Sequence, residues 1–257
     1  MMRVSDKQYK QLLDIQKALE WEGVKLDSLL KEMKEQEDEQ PTEPIEVPVE
    51  PTGKKVAICV GHSRSGDNGA VNTDGVSEHT YNGQIAHNLS QKLSSHGIES
   101  KVFDYYEGSG YGSAMSWIGD QVKKYDADIA IELHFNSASP SAAGYEYLYW
   151  HSSSSSKALA DSLLKAQEEK TPQMKNRGIK SKTSSDRGSG FLSKTHCPSV
   201  ITEPYFGSNQ EETTYYRDKN ILEEIYTKGI VDYFIGYSLT QDFLKEFHHI
   251  HVNVTYF

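Results

Sequence analysis

Two histidines each come directly after a short apolar run of the sequence. The run at 56–60 leads through a glycine to His62, and the run at 129–133 leads to His134. Short apolar runs that end in polar residues are typical of buried β-strands, so both imidazoles are predicted at strand ends on one rim of a sheet. In open α/β sheets the carboxyl ends of strands border the crevice that binds ligands. Two imidazoles there, joined by a carboxylate from a loop, could hold a catalytic zinc ion, which makes a zinc hydrolase the leading hypothesis.

Two carboxylates stand where they could complete such a site. Glu78 lies towards the end of the glycine-containing loop at 63–80, and Glu203 ends a further apolar run at 199–203. These residues are too far from the histidines along the chain for a compact zinc finger or for a His-Glu-x-x-His motif on one helix. The ligands must therefore come from separate elements, as catalytic residues on the rim of an α/β sheet usually do.

The elements that position these residues alternate along the chain. Apolar runs predict strands at 56–61, 99–104, 127–135, 145–150 and 199–203, and helical periodicity predicts helices at 81–95, 114–125, 155–169 and 218–237. This βαβ rhythm predicts an α/β fold with a largely parallel twisted sheet covered by helices. The tail from 248 to 256, which carries His248, His249 and His251, alternates polar and apolar residues and is interpreted mainly as a terminal edge strand.

The main domain is preceded by a different kind of sequence. Residues 1–35 are predicted to form an amphipathic helical segment, residues 36–53 a linker rich in Pro and Glu, and residues 54–257 the catalytic domain. The apolar stripe over 5–34 favours pairing with a second copy of the chain or with another protein. The alternative is that this stripe packs onto the main domain.

Composition excludes several classes of partner. The chain has 27 Lys+Arg against 37 Asp+Glu and a formal net charge of −10, with no basic stripe, so a nucleic acid is not expected. The longest clean apolar stretch is about five residues, against roughly 20 for a membrane-spanning helix, so no membrane is expected. The first residues are charged and lack the apolar core of a secretory signal. Synthesis in the cytoplasm without a signal peptide is therefore predicted.

Short motifs occur in a fixed order along the main domain. In sequence they are Gly61-His62, Gly69-Ala70, Glu78 with Asn82, Asp128, His134-Phe135-Asn136, Gly144-Tyr145-Glu146, Arg177-Gly178, Cys197-Pro198-Ser199-Val200-Ile201-Thr202-Glu203 and Phe206-Gly207-Ser208-Asn209. In this order they resemble the zinc-dependent N-acetylmuramoyl-L-alanine amidases of type 3, which occur in bacterial cell-wall enzymes and bacteriophage endolysins. Departures occur in the loop at 63–66 and around 102–104, and they concern the shape of the substrate loops more than the metal.

The resemblance implies roles for the candidate residues. His62, Glu78 and His134 would bind Zn²⁺, and Glu203 would be the catalytic carboxylate that moves a proton from water to the departing amine. The substrate would be bacterial peptidoglycan, cut at the amide between the lactyl group of N-acetylmuramic acid and L-alanine. A zinc hydrolase of another amide or peptide and a catalytically silent wall-binding relative are the alternatives. Without a signal peptide, the enzyme would reach the wall through a holin, as phage endolysins do, or as part of a virion.

Overall fold

A computed structural model describes residues 52–252 of the 257-residue chain, and from residue 237 onwards it describes the backbone alone. The predicted N-terminal helix, its pairing through residues 5–34 and nearly all of the predicted linker lie outside the described residues and stay predictions. No helix of the described part is long and apolar enough to cross a membrane.

Six strands and six helices make up the described part of the chain. The strands are β1 (Lys55–Val60), β2 (Glu99–Phe103), β3 (Ile129–Leu133), β4 (Tyr145–Trp150), β5 (Asn176–Lys182) and β6 (Ser199–Glu203). The helices are α1 (Glu78–Ser94), α2 (Tyr111–Tyr125), α3 (Ser154–Lys170), α4 (Ser189–Lys194), α5 (Gln210–Tyr215) and α6 (Asn220–Val252).

All six strands form one sheet in the order β2-β1-β3-β6-β4-β5. The four strands β2, β1, β3 and β6 are parallel, whereas β4 pairs antiparallel with β6 and parallel with β5. The predicted α/β fold with a largely parallel sheet is confirmed. Because β1, β3 and β6 are neighbours and run in one direction, their carboxyl ends lie side by side on the same rim of the sheet.

Helices cover both faces of the sheet, which explains why the central strands are apolar throughout. On β1, Val56, Ile58 and Val60 face one core and Ala57 and Cys59 face the other. The first core is completed by α1, α3 and α6, with side chains that include Ile85, Leu89, Leu159, Leu163, Leu222 and Ile225. The second core is completed by α2 and α4, with Ala114, Ile118 and Phe191 among them.

The structure corrects the interpretation of the C-terminal tail. Residues 248–252 continue helix α6 and do not form the predicted edge strand. The reason lies in the longer pattern: Leu239, Phe243, Phe247 and Ile250 follow one another at steps of three or four, which is the helical period, so the local alternation was misleading. Strand β5 and the short helices α4 and α5 were not predicted. Strand β5 is at the sheet edge and contains one aliphatic residue, Ile179, so it carries little apolar signal.

Candidate metal centre

The backbone of three neighbouring strands brings three of the candidate side chains to one place. The amide of Gly61, next to His62, donates to the carbonyl of Leu133 at 2.9 Å. The amide of His134 donates to the carbonyl of Thr202 at 3.2 Å. His62 and His134 therefore come just after β1 and β3, and Glu203 is the last residue of β6, so the three lie at the same end of the sheet, as their positions in the sequence predicted.

Glu78 reaches this rim from the first turn of α1. Ser77 caps the helix, since its side chain accepts a hydrogen bond from the amide of Thr80. The carboxylate of Glu78 is almost completely buried and accepts from the amide of Phe135 at 3.1 Å and from the amide of Ala70 at 3.2 Å. These backbone bonds hold both carboxylate oxygens in a defined direction.

The two imidazoles meet at the Glu78 carboxylate. His62 Nε2 lies 3.2 Å from Glu78 Oε2, and His134 Nδ1 lies 2.8 Å from Glu78 Oε1. One ligand atom from each of the three residues lies within 4.8 Å of the others. Two imidazoles and one carboxylate are ligands that Zn²⁺ prefers, and three protein ligands leave a coordination position for a reactant. The donor set therefore fits zinc.

The electrostatics of the three residues also favour a cation at this point. Burial opposes the ionisation of Glu78, but hydrogen bonds from His134 and His62 outweigh it, so the pKa of Glu78 lies well below its usual range. For the two histidines, burial lowers the pKa, but the neighbouring carboxylates raise it by more. The pKa values of His62 and His134 are therefore above the usual value. The carboxylates thus stabilise positive charge in the space between the ligands.

The nitrogen of each histidine that points away from Glu78 meets another carboxylate. His62 Nδ1 lies 2.8 Å from Asp67 Oδ1, and His134 Nε2 lies 3.3 Å from Glu132 Oε2. Metal-bound histidines commonly donate their second N–H to a carboxylate, which fixes the tautomer and the ring orientation. Neither Asp67 nor Glu132 was predicted. A signal existed for Glu132, since it is the one charged residue within the apolar strand β3.

Two glycines make room for the side chains of the three candidate ligands. A Cβ atom at Gly61 would lie 2.5 Å from His134 Nε2, and a Cβ atom at Gly69 would lie 2.6 Å from His62 Cδ2 and 2.8 Å from Glu78 Oε2. Gly69 also has φ +70°, and His62 itself has φ 60°, a region that a residue with a side chain rarely adopts. Strain at a ligand position is common where the surrounding structure holds a functional group in place.

Glu203 lines the same cavity as the three ligands. The cavity has a volume of about 590 Å³, and its walls include His62, Glu78, His134 and Glu203. The Oε2 atom of Glu203 is buried and has no hydrogen-bond partner among the described residues. Burial is the main reason that the pKa of Glu203 is raised to about 8. The charge of His134 lowers this pKa, and the charge of Glu78 raises it further. A carboxylate in this state suits the transfer of a proton near neutral pH.

Two asparagines, Asn82 and Asn136, belong to the motifs that contain the candidate ligands, but neither makes a hydrogen bond to a histidine of the site. Asn136 donates from Nδ2 to Glu146 Oε1 at 3.2 Å. The side-chain amide of Asn82 is buried and makes no hydrogen bond to the described residues. Neither side chain therefore orients a histidine of the centre.

Comparison with known proteins gives one family and a consistent set of structures. The sequence model of the family described as N-acetylmuramoyl-L-alanine amidase matches residues 56–232. Comparison with curated proteins gives no match.

Three solved structures are representative of the structural matches. The N-acetylmuramoyl-L-alanine amidase AmiC2 of Nostoc punctiforme is 22% identical with a TM-score of 0.60, and the alignment covers 72% of this chain and 98% of that one. The catalytic domain of the amidase CwlV from Bacillus (Paenibacillus) polymyxa var. colistinus is 24% identical with a TM-score of 0.59, and the alignment covers 72% of this chain and 97% of that one. The catalytic domain of the CD27L endolysin targeting Clostridia difficile is 25% identical with a TM-score of 0.58, and the alignment covers 71% of this chain and 97% of that one. The first two likenesses show the fold.

Proposed function

This chain belongs to the N-acetylmuramoyl-L-alanine amidase family, and we therefore propose that it is a zinc-dependent hydrolase of bacterial peptidoglycan. The bond cleaved is the amide between the lactyl group of N-acetylmuramic acid and the L-alanine of the peptide stem. The observation that supports this proposal most directly is the convergence of His62, Glu78 and His134, with ligand atoms within 4.8 Å of one another, beside the carboxylate of Glu203. The family resemblance recognised in the sequence is confirmed.

In this proposal His62 Nε2, His134 Nδ1 and one oxygen of Glu78 hold the metal. Bound Zn²⁺ would supply a Lewis acid that polarises the amide carbonyl and lowers the pKa of water to roughly 7. The protein contributes the fixed direction of its ligands. The amides of Phe135 and Ala70 orient Glu78, and the carboxylates of Asp67 and Glu132 lie against the outer nitrogens of the histidines.

Glu203 is the proposed proton carrier. Hydrolysis of an amide requires removal of a proton from the attacking water and delivery of a proton to the departing amine, since an amide anion is a very poor leaving group. Glu203 lines the cavity and its Oε2 has no hydrogen-bond partner among the described residues, which supports a role of this carboxylate in both transfers. General acid–base catalysis of this kind contributes about 10²–10⁴ in rate.

The cavity is suited to a segment of the peptidoglycan stem. Its volume of about 590 Å³ falls within the approximate range of 300–1,000 Å³ that is usual for ligand sites. Apolar and aromatic side chains line it together with the basic groups of Lys182 and Arg187 on the side of β5 and the following loop. Such a mixed wall matches a substrate that combines a sugar with a peptide bearing carboxylates.

The decisive experiment is the digestion of purified peptidoglycan. We expect the release of free amino groups that are identified as the α-amino group of L-alanine by N-terminal labelling. A chelator should abolish the release and added Zn²⁺ should restore it, with the Glu203→Gln protein as the inactive control. Release of other amino termini would show a peptidase, and sedimentation with the wall without any release would show a binding protein. Either result would contradict the proposal.

We propose further that the hydrolysis serves host lysis, as in a phage endolysin. The likeness to the catalytic domain of the CD27L endolysin supports this role. The enzyme would reach the wall after release through a holin or as a component of a virion. Expression in a bacterial host with and without a holin tests the first route. Cells that express the holin should lyse, and cells without it should stay intact. Cells that express the holin and stay intact, although their extracts contain amidase activity, would contradict that route.

A further inference from the structure

Glu132 is a buried charged residue in the middle of the sheet. It belongs to the apolar strand β3, is paired in register with Cys59 of β1, and has 4% of its surface exposed. A carboxylate in such surroundings is costly unless hydrogen bonds and opposite charge compensate it. Its place beside a proposed metal ligand supplies a reason for its presence.

We propose that Glu132 is a positioning residue that holds His134 in the tautomer presenting Nδ1 to the metal. The inference rests on the proposed metal centre. Glu132 Oε2 lies 3.3 Å from His134 Nε2, so the carboxylate is placed to interact with an Nε2–H group. When Nε2 carries the proton, Nδ1 of the neutral imidazole has the free lone pair that a metal requires.

The carboxylate of Glu132 is itself held in place. The hydroxyl of the buried Tyr106 donates to Glu132 Oε1 at 3.1 Å. One oxygen is thus occupied by Tyr106 and the other faces His134. The Tyr106 hydroxyl thus holds the Glu132 carboxylate in the position from which it faces His134 Nε2.

Glu132 acts through His134 and does not itself bind the ion. The two nitrogens of an imidazole point away from each other, and Glu78 lies against Nδ1 whereas Glu132 lies against Nε2. An ion held by the nitrogen of His134 that faces Glu78 would therefore have no contact with Glu132. The cluster of ligand atoms within 4.8 Å accordingly contains His62, Glu78 and His134 without Glu132.

Asp67 provides a matched comparison, because it lies against the outer nitrogen of His62 as Glu132 lies against that of His134. Asp67 is 2.8 Å from His62 Nδ1, but 29% of its side chain is exposed and it also accepts from Arg64 at 3.2 Å. Glu132 has 5% of its side chain exposed. Because water weakens interactions of exposed charges much more than those of buried ones, Glu132 should contribute more to the metal centre than Asp67.

The test measures zinc affinity by competition with a chelator, in the full-length protein and without any substrate. Removal of a carboxylate that orients a metal-bound histidine typically lowers affinity about 10–100-fold, and this is the loss expected for Glu132→Ala. Glu132→Gln keeps the volume and an accepting oxygen, so it should recover part of the affinity. Asp67→Ala is the matched control and should lose clearly less than Glu132→Ala.

A spectroscopic measurement separates positioning from general packing. In the zinc-loaded wild type, the Nε2–H proton of His134 should give a slowly exchanging, downfield imidazole resonance in the proton NMR spectrum. This resonance should disappear in Glu132→Ala while that of His62 remains. Thermal unfolding of the metal-free proteins reports any separate loss of stability.

Several results would overturn the inference. They are a zinc affinity of Glu132→Ala within twofold of wild type, an equal loss in Asp67→Ala, or an unchanged His134 resonance. If Glu132→Ala fails to fold, Glu132→Met carries the test, because it keeps the length of the side chain and removes both oxygens, and wild-type affinity together with a wild-type spectrum in that variant would overturn the inference. A wild-type protein that binds zinc but leaves peptidoglycan intact would refute the proposed function and leave this inference standing. A wild-type protein that binds no zinc would refute both.

Discussion

Glu146 on β4 and Glu203 on β6 are directly opposite each other in the antiparallel register, but their surroundings differ. Glu146 Oε2 accepts from Arg177 Nε at 2.8 Å, and Arg177 also lies over the ring of Phe206. Glu203 Oε2 has no hydrogen-bond partner among the described residues. Both carboxylates line one cavity, yet Glu203 is the one with an oxygen free to exchange a proton.

The first prediction concerns Glu203→Gln. This substitution keeps the size of the side chain and removes its capacity to carry a proton. Turnover of peptidoglycan should fall by about 10²–10⁴, while the zinc content stays at one ion per chain because Glu203 is not among the proposed ligands. Turnover is measured as amino groups released, and zinc by atomic absorption.

Glu146→Gln is the matched control, because it alters the opposite carboxylate of the same cavity. It should retain much more activity than Glu203→Gln. Wild-type turnover in Glu203→Gln, or a greater loss in Glu146→Gln, would remove Glu203 from the proposed mechanism.

The second prediction concerns His134→Ala. The substitution removes one of three proposed ligands and leaves the buried Glu78 without its 2.8 Å partner. Both zinc content and activity should be lost, and added Zn²⁺ should not restore activity as it does after chelation of the wild type. His151→Ala, in the turn after β4, serves as the control with unchanged zinc content. Full zinc occupancy in His134→Ala would show that the ligand set is wrong.

The third prediction compares two glycines of the loop after β1. Gly66 and Gly69 both have positive φ, so alanine is strained at either position. A Cβ atom would meet nothing within 4 Å at Gly66, but at Gly69 it would overlap His62 and Glu78. Overpacking of this kind costs about 1–3 kcal/mol, so zinc affinity should fall roughly tenfold or more in Gly69→Ala.

Gly66→Ala should bind zinc as the wild type does, because it carries the same backbone strain without the overlap. Chelator competition on both proteins checks the comparison. Equal affinities in the two variants would mean that Gly69 does not shape the ligand positions.

The fourth prediction concerns stability and the buried Glu212 of α5. Its carboxylate accepts from the amide of Gly144 at 2.7 Å and from the amide of Phe206 at 2.8 Å, and so joins two loops next to the cavity. Glu212→Ala leaves both amides without these bonds and should lower the free energy of unfolding by roughly 3 kcal/mol. Urea denaturation measures this change. The exposed neighbour Glu211 is the control, and a loss in Glu211→Ala as large as in Glu212→Ala would contradict the argument.

The sequence was informative where one local pattern dominates. The runs of β1, β3 and β6 are apolar because helices cover both faces, and this pattern by itself predicts His62, His134 and Glu203 at one rim of the sheet. Strand β5 gave no such signal, since an edge strand with one aliphatic residue resembles a loop. In the tail at 248–252 the alternation of a few residues predicts a strand, whereas the helical spacing over the longer segment predicts the helix that the structure shows.

Local patterns were thus sufficient for the fold class and for placing His62, His134 and Glu203 at strand ends, because strand burial and strand ends are encoded by neighbours in the chain. Glu78 was singled out, and all four residues were given roles, by the resemblance to the amidase family. The contacts of Asp67 and Glu132 with the two histidines were decided by the tertiary structure. Both carboxylates are close to their histidine along the chain, and the sequence marks Glu132 as a charge in an apolar strand. Which nitrogen of each ring a carboxylate meets depends on the side-chain orientations, and these are fixed when the loop after β1 and the carboxyl end of β3 pack around Glu78.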